Sequence, residues 1–581
     1  NYQLQFMYMR YFMWNFAGRQ NDNQGFGNDI DGNWIRGIRW LDEMRLGPQD
    51  NLPESMSSKA NNKFYLLPLL LGLLGLIWHI NRNYRDALVV ALLFIMTGIA
   101  IVVYLNQYAY QPRERDYAYA ASFYAFAIWI GIGVAAIAML LRKFIGLKVS
   151  ALVATGVCLF AVPVIMASEG WDDHDRSDRY TAREMARNYL ESCEKNAILF
   201  TMGDNDTFPL WYAQDVEGIR TDIRVVNLSL LSADWYISQM KRKVYDSEPV
   251  PFSLSYDEYK SGTREVVYLS DDKRIKGAVD LKELFDVIHS DPKALQVNSS
   301  IGIVDYIPTS HFSIQVDSAR VVSNGTVPPD DVIYLVDTLS WKIDKGLITK
   351  SQLMILDLLA HNNWERPVYF STTAGETSYL GLNEYLRLEG MAYRLVPVKK
   401  PISENAIGQI NSGILYKRLM ETFRFGNMEK PEVYLDETNR RMVTNLRTNF
   451  GRLAMQLAEE GKYREAIAVC DRCVGMAPDE AYRFDFFMLP VAETYFKAGA
   501  NDKGARMLER LLTLYTQDLN YYFRFPGERI NQFDYEMQQA LSVINHIRQI
   551  ALTNNNSSLK DKAETELKKQ YDKYVQATGK M

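Results

Sequence analysis

The chain has 581 residues, 48% of them hydrophobic, and a formal net charge of −5. It is too long for one compact domain, and its acidic balance argues against nucleic acid as a partner. Its four cysteines are scattered and do not suggest a disulfide framework. Residues 64–167 are almost continuously apolar, whereas the other residues have the charged composition of a soluble protein. We therefore predict a membrane domain joined to soluble regions.

The chain starts with Asn1 and shows no secretory signal peptide, so we expect it to be the carboxyl-terminal part of a longer polypeptide or a chain from which earlier residues were removed. We assign residues 1–63 to an extracytoplasmic or interfacial segment. Its first sixteen residues, NYQLQFMYMRYFMWNF, are aromatic and rich in methionine. Such a stretch can lie in the membrane interface, complete an earlier span, or form an amphipathic helix packed on the membrane domain.

Residues 64–167 contain apolar runs near the length of about twenty residues that a membrane-spanning helix needs. They predict four spans: Phe64–Ile80, Ala87–Asn106, Ala120–Leu141 and Leu147–Ala167.

The charges of the connectors predict the orientation. Two of the three connectors are basic, with Arg82, Arg85, Arg142, Lys143 and Lys148. Because basic loops stay in the cytoplasm, the charge-balanced second connector, Gln107–Tyr119, is expected on the other side together with residues 1–63 and 168–581. That side is the periplasm if the protein sits in the inner membrane of a diderm bacterium.

Residues 168–430 alternate strand-like and helix-like stretches, which is typical of an α/β domain with a largely parallel sheet. The predicted helices are Pro209–Glu217, Ala233–Val244 and two near 281–289 and 350–362. The predicted strands are Ala197–Gly203, Asp222–Leu231, Glu265–Ser270, Asp331–Asp337 and Pro367–Thr372.

Residues 431–581 predict a tetratricopeptide-like helical domain, with one unit over 447–480 and a weaker one near 485–516. Cys470 and Cys473 form a CxxC pattern. A redox or zinc role would need a helix amino terminus or a second pair of ligands. Both cysteines fall instead on packing positions of the first unit, so we interpret them as core residues.

The second connector carries the most informative short motif, Gln111–Tyr117 (QPRERDY). Arg113 and Arg115 at the membrane surface could bind the phosphate or pyrophosphate of a lipid carrier. The alternative is an internal ion-pair cluster with Glu114 and Asp116. Polar residues after the aromatic start, including Arg19 and Asp22, could face the same surface.

Two acidic clusters are weaker candidates. Asp204, Asn205 and Asp206 follow the first predicted strand of the α/β domain, where they could bind a divalent cation, orient sugar hydroxyls, or act as acid and base. The alternative is that they shape a turn and cap the next helix. His174 lies among acidic residues after the fourth span, but a hydrated helix start explains that cluster as well as a metal site does, so we assign no metal ligand.

Several long segments resemble the large multispan membrane proteins of Bacteroidota, a family of unknown function also described as protein O-mannosyltransferase-like. They are Arg10–Asp22, Tyr110–Val134, Trp171–Leu190 and Gly203–Leu231. The resemblance covers most of residues 1–420 and corresponds to the carboxyl-terminal half of such a protein. It implies a glycosyltransferase that takes sugar from a polyprenyl phosphate and places it on Ser or Thr of exported proteins.

The resemblance implies Arg113 and Arg115 as donor-phosphate contacts and the Asp204–Asp206 turn as a candidate acceptor or ligand site. It names no catalytic base in this chain, because enzymes of this architecture carry their acidic residue in an earlier outer loop. The lipid-linked sugar is a substrate, and neither a cofactor nor metal dependence can be assigned.

Two other functions compete with the enzyme. One is a membrane-anchored periplasmic scaffold that binds envelope or secretion proteins through its helical repeats. A transporter is less favoured, because the spans carry no clear ionisable relay.

Overall fold

The computed structural model describes residues 2–111, 113–291, 293–299, 302–401 and 407–580. Pro112, which favours an extended backbone at the residue before it in the second connector, lies outside the described residues.

The amino-terminal residues pack on the membrane helices. A π-helical stretch, Tyr2–Met9, continues directly into α1 (Arg10–Phe16). The Phe12 ring lies 4.9 Å from that of Phe126, and Tyr8 Oη donates to Ser122 Oγ at 3.1 Å. Of the three readings of this aromatic stretch, the structure supports packing on the membrane domain.

Residues 17–63, which we call the strap, contain β1 (Gly18–Arg19), α2 (Arg39–Leu46) and β2 (Asn62–Lys63). The two strands pair antiparallel. Ion pairs fasten the strap to the carboxyl-terminal helices, as between Glu54 and Arg510 at 2.6 Å. The strap therefore connects the membrane domain with the far end of the chain.

The membrane helices follow in chain order. They are α3 (Leu67–Arg82), α4 (Tyr84–Thr97), α5 (Ile99–Leu105), α6 (Ala120–Ile145), α7 (Leu147–Leu159) and α8 (Ile165–His174).

Among the described residues, three helical stretches are long and apolar enough to cross a membrane: Tyr84–Leu105, Asp116–Ile145 and Leu147–His174. The first predicted span corresponds to α3, a shorter apolar helix of 16 residues. At 1.5 Å per residue α3 covers about 24 Å, less than the roughly 30 Å hydrocarbon core. Four full spans therefore stay a prediction.

Glycines bring α3 and α6 into close contact. A Cβ atom at Gly75 would lie 1.8 Å from the carbonyl oxygen of Trp129, and one at Gly133 would lie 2.3 Å from that of Leu71. Such small residues let membrane helices approach closely without needing a hydrophobic driving force. This packing holds the short helix α3 within the bundle.

The α/β domain starts after α8. Its helices are α9 (Thr181–Glu191), α10 (Gly203–Asp215), α11 (Asp234–Met240), α12 (Tyr256–Tyr259), α13 (Leu281–Ser290), α14 (Ser318–Ser323), α15 (Lys350–His361) and α16 (Ser412–Tyr416). Its strands are β3 (Ile198–Thr201), β4 (Arg224–Asn227), β5 (Val266–Leu269), β6 (Val279–Asp280), β7 (Gln296–Ser299), β8 (Gly302–Ile307), β9 (His311–Gln315), β10 (Thr338–Lys342), β11 (Leu347–Thr349), β12 (Val368–Ser371), β13 (Leu386–Leu388), β14 (Ala392–Leu395) and β15 (Gln409–Ile410).

The sheets of this domain are mixed, so the prediction of a largely parallel sheet is wrong. The main sheet has the order β15-β13-β14-β12-β3-β4. Its β12, β3 and β4 are parallel, whereas β14 pairs antiparallel with both β12 and β13. The strand predicted at Glu265–Ser270 forms as β5 but belongs to a separate sheet, of order β11-β5-β8-β7.

The prediction of a strand over Asp331–Asp337 is also wrong. Most of that segment belongs to a 3₁₀ helix, Pro329–Tyr334. The turn buries Asp331 completely and places its carboxylate against Arg387 and Lys400. A buried carboxylate needs such partners, and tertiary contacts thus override the local strand pattern.

The carboxyl-terminal region consists of antiparallel helices, and the assignment of tetratricopeptide units to them stays a prediction. They are α17 (Glu437–Glu459), α18 (Tyr463–Met476), α19 (Leu489–Lys497), α20 (Asn501–Tyr522), α21 (Asp534–Thr553) and α22 (Ser557–Thr578).

Cys470 and Cys473 are fully buried between these helices, which confirms them as core residues. Burial raises the pKa of Cys473 to about 12, so its thiol is poorly suited to redox chemistry.

A candidate anion-binding cleft at the membrane surface

An ion pair holds the loop between α5 and α6, residues 106–119, which we call the outer loop after the side of the membrane that the sequence predicts for it. Arg10 donates to both carboxylate oxygens of Glu114, at 2.9 and 2.6 Å, and Tyr11 Oη donates to Glu114 at 2.6 Å. The Arg10 and Glu114 side chains are only 4% and 12% exposed. The predicted ion-pair alternative therefore applies to Glu114, but its partner is Arg10 rather than an arginine of the same loop.

The two arginines of the outer loop point to different partners. Arg113 is exposed, and its Nη1 donates to Asn205 Oδ1 of α10 at 3.4 Å. Arg115 is half-buried, and its Nη1 donates to Tyr117 Oη at 2.7 Å. In this geometry the two arginines therefore do not converge on one position where a phosphate could bind.

Arg113 lines a cleft of about 270 Å³ between the outer loop, the strap, the end of α8 and the start of α17. Four distant parts of the chain thus form one site. The lining residues are Arg19, Asp22, Gln24, Arg113, Glu114, Asp173, His174, Arg176, Tyr434, Asp436, Glu437, Thr438 and Arg441.

The carboxylates where the strap meets α17 are engaged. Asp22 accepts a hydrogen bond from Tyr434 Oη at 2.6 Å. Glu437 pairs with Arg441 and accepts from the backbone amide of Gln24 at 2.7 Å. These contacts close the side of the cleft formed by the carboxyl-terminal region.

The other lining carboxylates are engaged too. Asp173, 4% exposed, lies 3.0 Å from His174 Nδ1 and accepts from Asn62 Nδ2 at 3.4 Å. Asp436 caps α17 and pairs with Arg179 at 3.1 Å. With Glu114 held by Arg10, all the carboxylates that line the cleft have partners.

Three cations in the cleft differ from these carboxylates because they have no ionic partner among the described residues. Within the part of the chain that the structure describes, Arg19, Arg113 and Arg176 form no ion pair. Arg19 stacks its guanidinium 4.3 Å from the Trp14 ring, and its buried Nε has no hydrogen-bond partner there. Arg176 donates only to backbone carbonyls, at 2.8 Å to that of Asp173. A cleft with paired anions and unpaired cations is suited to binding an anion.

His174 is the exposed end of α8, not the helix start that the sequence suggested. Its Nδ1 lies 2.7 Å from the carbonyl oxygen of Gly170, so Nδ1 carries a hydrogen and donates to that oxygen. Among the described residues, no group of three or more His, Cys, Asp or Glu side chains is arranged to hold a metal ion.

Asp204, Asn205 and Asp206 form the first turn of α10, which begins at Gly203, earlier than predicted. Asp206 is 9% exposed and accepts from Thr373 Oγ1 at 2.5 Å and Ser371 Oγ at 3.3 Å. Burial raises the pKa of its carboxyl group. Asp206 therefore ties α10 to the end of β12, while Asp204 and Asn205 stay exposed beside Arg113.

Sequence reasoning singled out Arg113 and noted Arg19, but it missed Arg176 and every contribution from α17. The only signal for Arg176 was its place in the acidic segment after the fourth span. Nothing local in residues 434–441 indicates that they face a membrane loop more than 300 positions earlier in the chain.

Residues 182–414, from within α9 to within α16, match the family model described as TMEM260-associated domain 2. No curated protein and no solved structure matches the chain. The chain thus combines helices suited to a membrane with an α/β domain similar to one associated with TMEM260.

Proposed function

We propose that this chain supplies the donor-phosphate site of a membrane glycosyltransferase. The enzyme moves a sugar from a polyprenyl-phosphate-linked donor to Ser or Thr of exported proteins, at the periplasmic face of a bacterial inner membrane. The observation that carries this proposal is the cleft with three unpaired arginines, Arg19, Arg113 and Arg176, beside the outer loop. The TMEM260-associated domain and the O-mannosyltransferase-like resemblance support it.

The reaction is a direct displacement at the anomeric carbon of the sugar. The acceptor hydroxyl oxygen forms the new bond to that carbon, and the bond from the carbon to the lipid phosphate oxygen breaks. The bonding electron pair leaves with the phosphate, and a base takes the hydroxyl proton. The three arginines stabilise the negative charge that develops on the departing phosphate; we assign no base in this chain.

Asp204 and Asn205 have a secondary role in this proposal. They are exposed, and Asn205 contacts Arg113, so a sugar attached to a phosphate in the cleft could reach them. Carboxylate and amide groups at the carboxyl end of a strand are suited to orienting sugar or acceptor hydroxyls.

The test uses the full-length protein reconstituted in lipid, with donor affinity and transfer rate as readouts. Each charge-assisted hydrogen bond contributes about 1.5–3 kcal/mol, so each of R19A, R113A and R176A is expected to weaken donor binding about tenfold or more. The triple variant should lose detectable transfer.

Two control variants separate position from charge. R115A removes the outer-loop arginine that does not line the cleft, and R441A removes a lining arginine that already pairs with Glu437. Both are expected to change donor affinity less than about threefold, in keeping with the small contribution of exposed pairs. Normal affinity and rate in the triple variant would show that the assignment is wrong.

A scaffold function remains the second candidate because of a groove of about 430 Å³ between α19 and α21. Leu489, Tyr535 and Val543 are among its lining residues, and grooves between paired helices commonly bind protein segments. Comparative glycoproteomics of a deletion strain distinguishes the two. Loss of O-glycans from exported proteins supports the enzyme, and an unchanged set supports the scaffold.

A further inference from the structure

Helix α10 is apolar on two sides. Its inner side buries Leu210 and Ala213 in the core of the α/β domain. Phe208 and Tyr212 of α10 and Val216, the residue that ends the helix, are spaced four residues apart, so they line up along the outer side. They are 51%, 45% and 70% exposed, so we call them the outer row.

The outer row starts at the membrane surface. Asn205 precedes Phe208 on the same side of the helix, and its amide oxygen accepts from Arg113 of the outer loop. That loop is short, because one apolar helical stretch ends at Leu105 and the next begins at Asp116. Arg113 therefore lies near headgroup level, and its contact with Asn205 shows that the first turn of α10 lies beside it.

The surroundings have the composition of a membrane interface. Three tyrosines of the outer loop, Tyr108, Tyr110 and Tyr117, are 73%, 71% and 58% exposed. Aromatic side chains are enriched at this level of the bilayer because one end is apolar and the other polar. Tyr212 fits the pattern, since its ring is exposed while its hydroxyl donates to Glu217 at 2.9 Å.

We infer that the outer row rests on the lipid bilayer, so that α10 is an interfacial helix of the α/β domain. Apolar side chains in this position would enter the boundary between headgroups and acyl chains, while the exposed Asp204 and Asp215 stay among the headgroups. The contact orients the α/β domain on the membrane in addition to its covalent link through α8. This inference does not depend on the proposed enzymatic activity.

Fluorescence quenching of a single label tests the contact. The four native cysteines are all buried, so an exposed cysteine introduced by F208C or V216C can be labelled selectively with a polarity-sensitive dye. The labelled full chain is reconstituted in phosphatidylcholine–phosphatidylglycerol vesicles. Quenching is then measured with lipids carrying a nitroxide near the headgroup and, separately, with aqueous iodide.

L552C on α21 is the matched control, because Leu552 is 54% exposed, similar to Phe208, and lies near the end of α21. The strap contacts the opposite end of that helix, through Gln532 just before it. We expect the nitroxide lipid to quench the labels at 208 and 216 at least threefold more than the label at 552, with the reverse order for iodide. Two positions are used so that poor folding of one variant does not decide the result.

Two outcomes would overturn the inference. If iodide quenches the row as strongly as the control and the lipid quencher does not, the row faces water. If neither quencher reaches the row, a protein surface covers it instead of lipid.

Discussion

Charged side chains cluster in two regions of this molecule, and the clusters are built in opposite ways. In the α/β domain, Arg387 donates to Glu389 at 2.8 Å and both side chains are 0–1% exposed. Tyr369 Oη also donates to Glu389, at 2.6 Å, and Arg394 lies 3.9 Å from it. Burial alone would raise the pKa of Glu389, but the two arginines lower it overall.

In the cleft, the anions are paired and three of the cations are not. An unpaired cation is tolerated there because water reaches it, whereas a lone charge in the buried cluster would cost several kcal/mol. The comparison separates charges that hold the fold from charges that stay available to a ligand. The predictions below test that separation and the pH dependence of buried carboxylates, with unfolding in detergent followed by the fluorescence of the ten tryptophans.

R387A is expected to have the largest effect, a loss of about 3–5 kcal/mol in the free energy of unfolding. The substitution leaves Glu389 buried without its closest cation and removes one of the two cations beside the buried Asp331, of which Lys400 remains. A loss below about 1 kcal/mol would contradict the view that this cluster supports the fold.

E114Q should cost about 2–4 kcal/mol, because it leaves Arg10 buried without its anion. The matched control on the same cleft is E437Q. Glu437 and Arg441 are 29% and 61% exposed, so that variant should lose no more than about 1 kcal/mol. Equal losses in the two variants would remove the distinction between structural and solvent-exposed pairs within the cleft.

D518N should stabilise the protein at pH 7 and leave it unchanged below about pH 4. Burial raises the pKa of Asp518 to about 6, and its side-chain partner is the hydroxyl of Ser55 in the strap. Because the folded state holds the proton more tightly than the unfolded state, stability is full at low pH and falls as the pH rises through about 6. Two pKa units correspond to about 2–3 kcal/mol.

The nearby Glu54 changes stability with pH in the opposite direction to Asp518, so it serves as an internal comparison for the pH series. Its hydrogen bond to Arg510 lowers its pKa to about 2. The stability that this pair contributes is present above about pH 4.5 and is lost as the pH falls towards 2. D518N should therefore change only the slope between about pH 4 and 6. An unchanged slope there would assign the pH dependence to another group.

R113A should have the smallest effect on folding, within about 0.5 kcal/mol, because Arg113 is exposed and its contact with Asn205 is long. Its expected effect is on donor affinity alone. A stability loss above about 1.5 kcal/mol would place Arg113 with the structural charges.

The sequence by itself determined the elements whose signal is local. Apolar runs located the membrane helices, although α3 proved shorter than its run. Buried strands such as β3 and β4 and the core positions of Cys470 and Cys473 also followed from hydrophobic patterning. These features depend on burial of consecutive or regularly spaced side chains, which a linear sequence displays directly.

Only the tertiary structure decided which charges meet. Arg10 pairs with Glu114, and the buried Asp331 pairs with Arg387. Arg19, Arg113 and Arg176 line one cleft together with the start of α17. An ion pair depends on distance and desolvation, and neither is encoded by the spacing of residues hundreds of positions apart. The motif in the outer loop therefore singled out Arg113 and Arg115 together, and only the fold decided that Arg113 lines the cleft and Arg115 does not.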